Sequence, residues 1–481
     1  MVINFYTSRV ILDKLGVEGY GIYNVVGSIA IAFSFFSSSL TNATQRYVTI
    51  ELGQGNLKKA NQIINLHFEI FLLISIVCFI VAEFLGVYII QKEINIPEER
   101  IGAAMWVYQF ALLNVVVQLL SIPFEACVIA HEDMNLYSYM GIFEGVARLI
   151  IALLLTIVSL DKLIFYASLM FVVTCLTKLG YFLYALNFYK ECFFKYYWNI
   201  QHIRESLSFV GWNIVGTGRV AVITQGMDFV LNLFLGPVGN AARGITNQVS
   251  GAIFKFSSNV LVAAQPQIVK AYANGEKCKL NALFYKTSLF SFYILWMLIC
   301  PMIFYIDSLL GMWLKEVPQW AVGFTFWQLL TSLVYVLTRP LWSIIIAVGN
   351  LKKYIFWDTL TSVLLIPVAI VVLKIGFSPE MVYVGGLIIQ IVNTFALLLV
   401  VNRYVSFGII VYFHNVISRI IEVTLITGVF AWILSGAFER TLLEIILIYV
   451  LGFIFVTLVI YIRGIDKDDR LFIVKKIKSL I

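Results

Sequence analysis

Four basic side chains lie inside long apolar runs of this sequence, where a charge needs a partner or water. They are Arg9, Arg219, Lys255 and Arg339. An ionisable side chain at the centre of a bilayer costs about 2.5–3.5 kcal/mol on insertion scales. Arginine donates paired hydrogen bonds to phosphate oxygens, and lysine supplies a mobile point charge. We therefore expect these four cations to line a water-filled cavity that binds an anionic cargo.

Three acidic side chains at comparable positions, Asp228, Asp358 and Glu144, are candidates for ion coupling. A carboxylate at membrane depth can change protonation or bind a cation during a transport cycle. Glu144 is spaced i, i+4 from Arg148, so a structural ion pair is the alternative role for Glu144. Asp228 follows Arg219 by nine residues, which places the two on nearly opposite helix faces, so each needs another partner or water.

The sequence predicts no metal site, no cofactor and no catalytic centre. The four histidines lie far apart without a second histidine at i, i+4, and the six cysteines contain no C-x-x-C. No G-x-x-x-x-G-K-[ST] segment is present, which excludes ATP hydrolysis by a P-loop. The polar connections are each under about twenty residues, too short for a folded catalytic domain. We therefore expect a protein that is not an enzyme.

The elements that position these residues are membrane helices. The chain of 481 residues is 61% hydrophobic and 13% charged, with a mean hydropathy of +0.91, which is too apolar for a soluble globule. Windows of about 20 apolar residues predict an all-α integral membrane protein with about fourteen transmembrane helices. These helices are predicted near residues 1–12, 20–44, 63–91, 102–130, 136–160, 162–188, 206–234, 238–265, 283–310, 319–347, 353–375, 380–402, 414–437 and 441–463.

The distribution of basic residues predicts the orientation. Alternate turns assigned to the two sides hold 19 Lys and Arg against eight, so the richer side and the C-terminus are predicted to be cytoplasmic. This asymmetry explains the net charge of +7, and no nucleic-acid partner is expected. The tail 464–481 has apolar residues among lysines, which predicts an amphipathic helix on the anionic inner leaflet or, alternatively, a solvated end.

The chain contains an internal duplication. Residues 15–61 and 235–281 align without a gap at an offset of 220, with twelve identities in 47 positions. Six helices separate the copies, so both copies point the same way across the bilayer, an arrangement typical of transporters with a cavity between two halves. The identical pairs are Leu15/Leu235, Gly16/Gly236, Gly19/Gly239, Ala32/Ala252, Phe36/Phe256, Ser37/Ser257, Ser38/Ser258, Ala43/Ala263, Gln45/Gln265, Gly55/Gly275, Lys59/Lys279 and Asn61/Asn281.

The duplication predicts five regions. They are an N-terminal bundle of helices 1–6 at 1–188, a cytoplasmic linker at 189–205, a C-terminal bundle of helices 7–12 at 206–403, an extra helix pair at 404–463 and the tail 464–481. The first helix covers about 18 Å of a hydrocarbon core about 30 Å thick, so we expect it to be truncated.

Several segments resemble one known family. They are residues 6–27 (YTSRVILDKLGVEGYGIYNVVG), 42–47 (NATQRY), 51–56 (ELGQGN), 106–110 (WVYQF), 130–133 (AHED), 209–213 (FVGWN), 236–244 (GPVGNAARG) and 265–268 (QPQI). They resemble the bacterial polysaccharide-biosynthesis flippases, the O-antigen and capsule repeat-unit branch of the multidrug, oligosaccharidyl-lipid and polysaccharide (MOP) exporter superfamily. The likeness runs over nearly the whole chain and is strongest in 6–133 and 205–275.

The resemblance implies two six-helix bundles plus a C-terminal pair that move between inward-open and outward-open states. It implies translocation of an undecaprenyl-pyrophosphate-linked oligosaccharide, an O-antigen or capsule repeat unit, from the cytoplasmic to the periplasmic leaflet of the bacterial inner membrane. The expected partners are this lipid-linked oligosaccharide and membrane lipids, and other polysaccharide-assembly proteins are candidate partners of an expected monomer. No family motif maps a role onto Arg9, Arg219, Lys255 or Arg339, which stay predictions from charge and depth.

Two other functions stay open at this point. A multidrug or organic-cation antiporter of the same superfamily would need an acid-lined pocket, for which Asp228 or Asp358 could serve, but the excess of cations disfavours it. A membrane polysaccharide polymerase or transferase would need a large outer loop or a soluble nucleotide-sugar fold, and neither is present in the sequence.

Overall fold

The computed structural model describes residues 2–92, 94–131, 133–159, 161–195, 200–348, 352–437, 442–466 and 470. In this part of the chain all regular secondary structure is helical, which confirms the predicted all-α membrane fold. The helices are α1 (Val2–Gly53), α2 (Leu57–Lys92), α3 (Ile101–Ala130), α4 (Met134–Leu154), α5 (Lys162–Phe188), α6 (Ile200–Ala273), α7 (Lys277–Met302), α8 (Ile306–Trp313), α9 (Ala321–Tyr335), α10 (Thr338–Val348), α11 (Lys352–Val363), α12 (Leu365–Ile375), α13 (Glu380–Val405), α14 (Ile409–Tyr412), α15 (Ser418–Ala437) and α16 (Leu442–Val459).

Two of these helices are each a pair of predicted helices joined without a loop. The first and second predicted helices form α1, and the seventh and eighth form α6. The chain changes direction at Gly16 (φ 73°, ψ 168°) and at Gly236 (φ 65°, ψ −164°). This backbone region is essentially restricted to glycine, which has no Cβ. A single glycine therefore replaces the turn that the sequence predicts at each place.

The duplication is also visible in the backbone. Gly55 and Gly275, which are 220 positions apart, have φ of 72° and 71° where α1 and α6 end. Their amides donate to the carbonyls of Leu52 (2.9 Å) and Tyr272 (3.0 Å), a second pair at the same offset. The kink glycines have this spacing too. The predicted sequence repeat is therefore a structural repeat as well.

The described chain forms two compact units. Unit 1 comprises Met1–Gly244 with Leu314–Pro318, and unit 2 comprises Ile245–Trp313 with Gln319–Ile481. The boundary falls within α6, just beyond its kink, whereas the sequence predicts bundles at 1–188 and 206–403. That predicted division stays a prediction, and each unit is described separately below.

Unit 1 is built around α3, which contacts α1, α2 and α5. Tyr108 of α3 is fully buried, and its hydroxyl donates to the carbonyl of Ala82 on α2 at 2.6 Å. A Cβ at Gly86 would lie 1.8 Å from this hydroxyl, so the ring needs a glycine opposite it. At the other end of α3, the buried side chains of Phe124 and Cys127 pack with residues of α1, α2, α5 and the turn Lys190–Cys192.

In unit 2, α13 packs against α9 and α11, and the C-terminal helices α15 and α16 pack on α7. The indole Nε1 of Trp296 donates to the hydroxyl of Thr427 at 2.8 Å, and the hydroxyl of Tyr449 donates to the carbonyl of Leu298 at 3.1 Å. These buried hydrogen bonds join the predicted extra helix pair to the rest of unit 2. The predicted amphipathic helix at 464–481 lies mostly outside the described residues.

Two further predicted helices are each divided in two. The predicted helix 319–347 becomes α9 and α10, and 353–375 becomes α11 and α12. In each case a proline, Pro340 or Pro367, is the third residue of the second segment. Proline lacks an N–H and cannot continue the hydrogen-bond ladder of the preceding turn, so a new helix begins there.

Eleven helices in the described residues are long and apolar enough to cross a membrane. Many of their large apolar side chains are exposed in the structure, for example Phe84, Trp432 and Ile410. Exposed apolar side chains over so many helices are the surface expected for contact with lipid. The chain is therefore a multi-pass membrane protein.

Candidate functional site

Three of the four predicted cavity cations have described side chains. Arg9 in unit 1 and Lys255 in unit 2 are exposed, and Arg339 in unit 2 is half-buried. Arg219 lies in α6, outside the residues whose side chains the structure describes. The prediction that the four line one cavity therefore stays a prediction.

Arg339 has a buried donor without an acceptor. Its Nε atom is buried and has no hydrogen-bond partner among the described residues. An unsatisfied buried donor of this kind costs about 1–3 kcal/mol, and more when it is charged. Arg339 lies in the first turn of α10, directly before Pro340. A guanidinium with unused hydrogen-bonding capacity is suited to an anionic ligand.

Asp228 is held by a cation inside unit 1. Nε of Arg243 lies 2.6 Å from Oδ1 of Asp228, and both side chains are largely buried, with exposed fractions of 11% and 15%. Arg243 also donates to the carbonyl of Thr224 (3.1 Å), and Asn240 donates to the carbonyl of Asp228 (2.8 Å). These contacts join the two arms of α6 across its kink. The geometry favours a structural clamp, and the ion-coupling role of Asp228 stays a prediction.

The other two predicted acids have different surroundings. Glu144 pairs with Arg148 one turn later on α4, as the alternative predicts, and its ion-coupling role stays a prediction. Asp358 on α11 accepts a hydrogen bond from Nδ2 of Asn393 on α13 (3.0 Å). The hydroxyl of Thr361 donates to Oδ1 of the same asparagine (2.8 Å). Asp358 therefore belongs to a polar group between two helices of unit 2 and stays a candidate for ion coupling.

Residues of the two sequence copies meet reciprocally in unit 1. The amide of Asn95 donates to Oδ1 of Asn232 (2.8 Å), and Nζ of Lys315 donates to Oδ2 of Asp13 (2.8 Å). At the offset of 220, Asn95 corresponds to Lys315, and Asp13 corresponds to the neighbour of Asn232. The segment that follows the third helix of each copy thus contacts the end of the first helix of the other copy. The hydrogen bond from Lys315 lowers the pKa of the Asp13 carboxyl below its ordinary value.

The helices that follow the two kinks also touch. A Cβ at Gly21 would lie 1.9 Å from the carbonyl oxygen of Pro237, and one at Gly244 would lie 2.8 Å from Nδ2 of Asn24. Asn24 and Gly244 are themselves counterparts at the offset of 220, so the axis that relates the copies passes close to them. We call these contacts, together with Asn95–Asn232 and Asp13–Lys315, the copy junction. The sequence-based orientation puts the copy junction on the non-cytoplasmic side.

One chemically distinct group was not predicted from the sequence. Cys127, His131 and Glu191 lie in unit 1 with one potential metal-ligating atom each, all within 4.8 Å of one another. Cys127 and His131 are spaced i, i+4 on α3 and its end, so they share a face. This Cys-x3-His spacing is neither a histidine pair at i, i+4 nor a C-x-x-C pattern, so the usual sequence signals of a metal site do not include it. Glu191 follows Cys127 by 64 positions and His131 by 60, so only the fold brings its carboxylate to them.

No protein-family model matches the chain, and no curated protein matches it in sequence. Solved structures match it in fold. An inward-facing multidrug-resistance MATE transporter of the MOP superfamily matches with a TM-score of 0.73 at 12% identity, over 84% of this chain and 94% of that one. The lipid II flippase MurJ, in an inward-closed conformation, matches with a TM-score of 0.70 at 14% identity, over 96% of this chain and 98% of that one.

A MOP superfamily transporter from Pyrococcus furiosus matches with a TM-score of 0.55 at 13% identity, over 84% of this chain and 95% of that one. Identities this low establish a shared fold. The chain therefore has the fold of these transporters, which confirms the fold that the resemblance implies.

Proposed function

We propose that this protein is a transporter that flips a lipid-linked oligosaccharide across a membrane by alternating access, and that it is not an enzyme. The proposed cargo is an undecaprenyl-pyrophosphate-linked repeat unit of an O-antigen or capsule. It moves from the cytoplasmic to the periplasmic leaflet of the bacterial inner membrane. The fold shared with MATE transporters and a lipid II flippase supports this class of function.

The observation that carries the proposal is the copy junction. Two duplicated segments that contact each other reciprocally at one end can separate there while they approach at the other, because both ends obey the same approximate symmetry. The hydrogen bond Lys315–Asp13 joins partly exposed side chains, so it can break at a cost of no more than about 1 kcal/mol. Contacts this weak suit a junction that opens and closes in every cycle.

The cargo class is supported by the unsatisfied guanidinium of Arg339 and by the extent of the structural likeness. A buried Nε without an acceptor stabilises a phosphate oxygen once the cargo is bound. The structural match to the lipid II flippase extends over 96% of this chain, whereas the match to the multidrug transporter extends over 84%. The pairing of Asp228 with Arg243 neutralises one of the two acids that a cation exporter could use, which also favours an anionic cargo.

Deletion of the gene in its native host tests the proposal. We expect loss of a surface glycan together with accumulation of lipid-linked repeat units on the cytoplasmic leaflet. Intact glycan with a gain in drug susceptibility would instead support the multidrug exporter.

Complementation of the deletion tests the copy junction separately. Gly21→Leu, which places a side chain against Pro237, should fail to restore the glycan although the protein reaches the membrane. Gly27→Ala is the matched control, because a Cβ at Gly27 meets nothing within 4 Å. Full complementation by Gly21→Leu would show that the copy junction has no role in transport. It would not bear on the identity of the cargo.

A further inference from the structure

A cluster of four potential metal ligands lies at the end of α3, away from the copy junction. The Sγ atoms of Cys127 and Cys192 are 3.3 Å apart, and Sγ of Cys127 is 3.8 Å from Oε1 of Glu191. Nε2 of His131 contacts the same Oε1. Cys127, Cys192 and Glu191 are buried, and His131 is partly exposed. The Cys127 thiol, an imidazole and a carboxylate thus converge from α3 and from the turn Lys190–Cys192, and the Cys192 thiol lies beside that of Cys127.

The separations of Sγ of Cys127 from Sγ of Cys192 and from Oε1 of Glu191 fit tetrahedral coordination of a metal ion. Zinc binds thiolate sulfur at about 2.3 Å and imidazole nitrogen or carboxylate oxygen at about 2.0–2.2 Å, so neighbouring ligand atoms of a tetrahedral site lie about 3.3–3.8 Å apart. The sulfur–sulfur and sulfur–oxygen distances in the cluster are 3.3 and 3.8 Å. The contact between His131 and Glu191 must widen to admit an ion. Thiolate with imidazole selects zinc over magnesium or calcium.

The surrounding residues hold the ligands in place. The ring of His131 stacks on Tyr189, with 4.0 Å between centroids and 2° between planes. Asn61 of α2 donates to the carbonyls of Glu191 (2.8 Å) and Phe193 (2.7 Å), on either side of Cys192. Supporting contacts of this kind orient metal ligands and are commonly as important as the ligands for affinity.

We propose that Cys127, His131, Glu191 and Cys192 bind one zinc ion, which fastens the segment between the two sequence copies to the end of α3. Binding displaces the protons of both thiols, while the neutral His131 ring binds through Nε2 and the Glu191 carboxylate through an oxygen. The two thiolates, the carboxylate and the zinc ion together then carry a net charge of −1. With all four positions taken by protein, the site is structural rather than catalytic.

A disulfide between the two cysteines is the competing outcome. The observed sulfur separation of 3.3 Å is non-bonded, since a disulfide bond measures about 2.05 Å. The distribution of Lys and Arg predicts that this side is cytoplasmic, where thiols stay reduced. A cytoplasmic pair of buried thiols beside a histidine and a carboxylate therefore favours metal over disulfide.

Metal analysis of the full-length protein tests the proposal. The protein is purified in detergent through a tag that contains no histidine, and its zinc content is measured by mass spectrometry. We expect about one zinc per chain, and CoCl2 added to the chelator-stripped protein should give a thiolate-to-cobalt charge-transfer band and the visible bands of tetrahedral Co2+. Cys127→Ser, Cys192→Ser and Glu191→Gln should each weaken zinc binding by about 100-fold or more, measured against a competing chelator.

Cysteines outside the cluster provide the matched controls. Cys175→Ser on α5 and Cys278→Ser on α7 should retain zinc at the wild-type level. The wild-type cobalt spectrum keeps the test decisive if a ligand variant fails to fold. Absence of zinc together with no thiolate band, equal zinc in a variant lacking both Cys127 and Cys192, or a Cys127–Cys192 disulfide in the purified protein would each overturn the proposal.

Discussion

At the scale of single residues, charges inside this protein have two kinds of surroundings. Asp228 and Arg243 neutralise each other in a largely buried pair, whereas Arg339 keeps a buried Nε without a partner in the described chain. A paired charge contributes to the fold, because removal of one member leaves the other uncompensated. An unpaired buried donor destabilises the fold and is available to a ligand. Substitution of Asp228 or Arg243 should therefore lower the stability of the protein, whereas substitution of Arg339 should not.

Neutralising one member of the buried pair should destabilise the protein. Asp228→Asn or Arg243→Gln is expected to cost about 3–5 kcal/mol, because the remaining charge stays buried without a counter-charge. Thermal unfolding in detergent measures this effect. Glu276→Gln, in an exposed pair with Lys279, is the control and should cost less than about 1 kcal/mol. An equal effect of all three variants would contradict the clamp.

Arg339→Met should separate transport from stability. The substitution removes a charge with an unsatisfied donor, so the unfolding temperature should stay the same or rise. Transport of a phosphate-bearing cargo should fall about 10- to 100-fold, the loss of one charge-assisted hydrogen bond worth about 1.5–3 kcal/mol. The exposed Arg403 provides the control Arg403→Met, which should alter neither quantity. A large drop in the stability of Arg339→Met with normal transport would assign this arginine to the fold.

The sequence allowed the ionisable residues to be found but not their partners. The spacing of Glu144 and Arg148 within one helix was enough to predict their pair. Asp228 and Arg243 fall in two successive predicted helices, 206–234 and 238–265, and the sequence does not indicate how these helices meet. Only the kink at Gly236 folds the two arms of α6 so that Arg243 reaches Asp228. The metal-suited cluster was missed for a similar reason, since Glu191 and Cys192 come to α3 from a segment that the sequence predicts only as a linker.

At the scale of helices, hydropathy was sufficient to place the spans, and glycine and proline decide how they join or break. A glycine in an αL or extended positive-φ conformation needs no loop to change direction, so two predicted helices become one kinked helix. Prolines 340 and 367 have the opposite effect and divide a predicted helix. Hydropathy windows cannot distinguish these outcomes, because they average over about twenty residues.

The kink glycines should be sensitive to the smallest substitution. Gly16→Ala and Gly236→Ala are each expected to destabilise by about 1–3 kcal/mol, because φ of 73° and 65° with ψ near 180° excludes a Cβ-bearing residue. At Gly16 nothing lies within 4 Å of an added Cβ, so the cost there is purely conformational. Gly27→Ala, in a regular and open part of α1, should be neutral or stabilising. Thermal unfolding in detergent distinguishes them, and a neutral Gly16→Ala would contradict the kink.

At the scale of the whole molecule, the duplication relates sequence, backbone and contacts by one offset. The same 220 positions separate the kink glycines, the turn glycines and the counterparts Asn24 and Gly244, which touch. A sequence repeat predicts like-oriented copies, but it cannot predict which residues of one copy contact the other. Those contacts, at the copy junction, are what support a mechanism in which one end opens as the other closes.

The most direct test of this account is a leaflet assay with the purified protein in liposomes. The cargo is a fluorescent oligosaccharide on undecaprenyl pyrophosphate, and an impermeant quencher reports the fraction that remains in the outer leaflet. We predict that the wild-type protein moves this lipid between leaflets and that Arg339→Met does so about 10- to 100-fold more slowly. Movement no faster than in protein-free liposomes, combined with uptake of an organic cation by the same preparation, would contradict the flippase and favour the drug exporter.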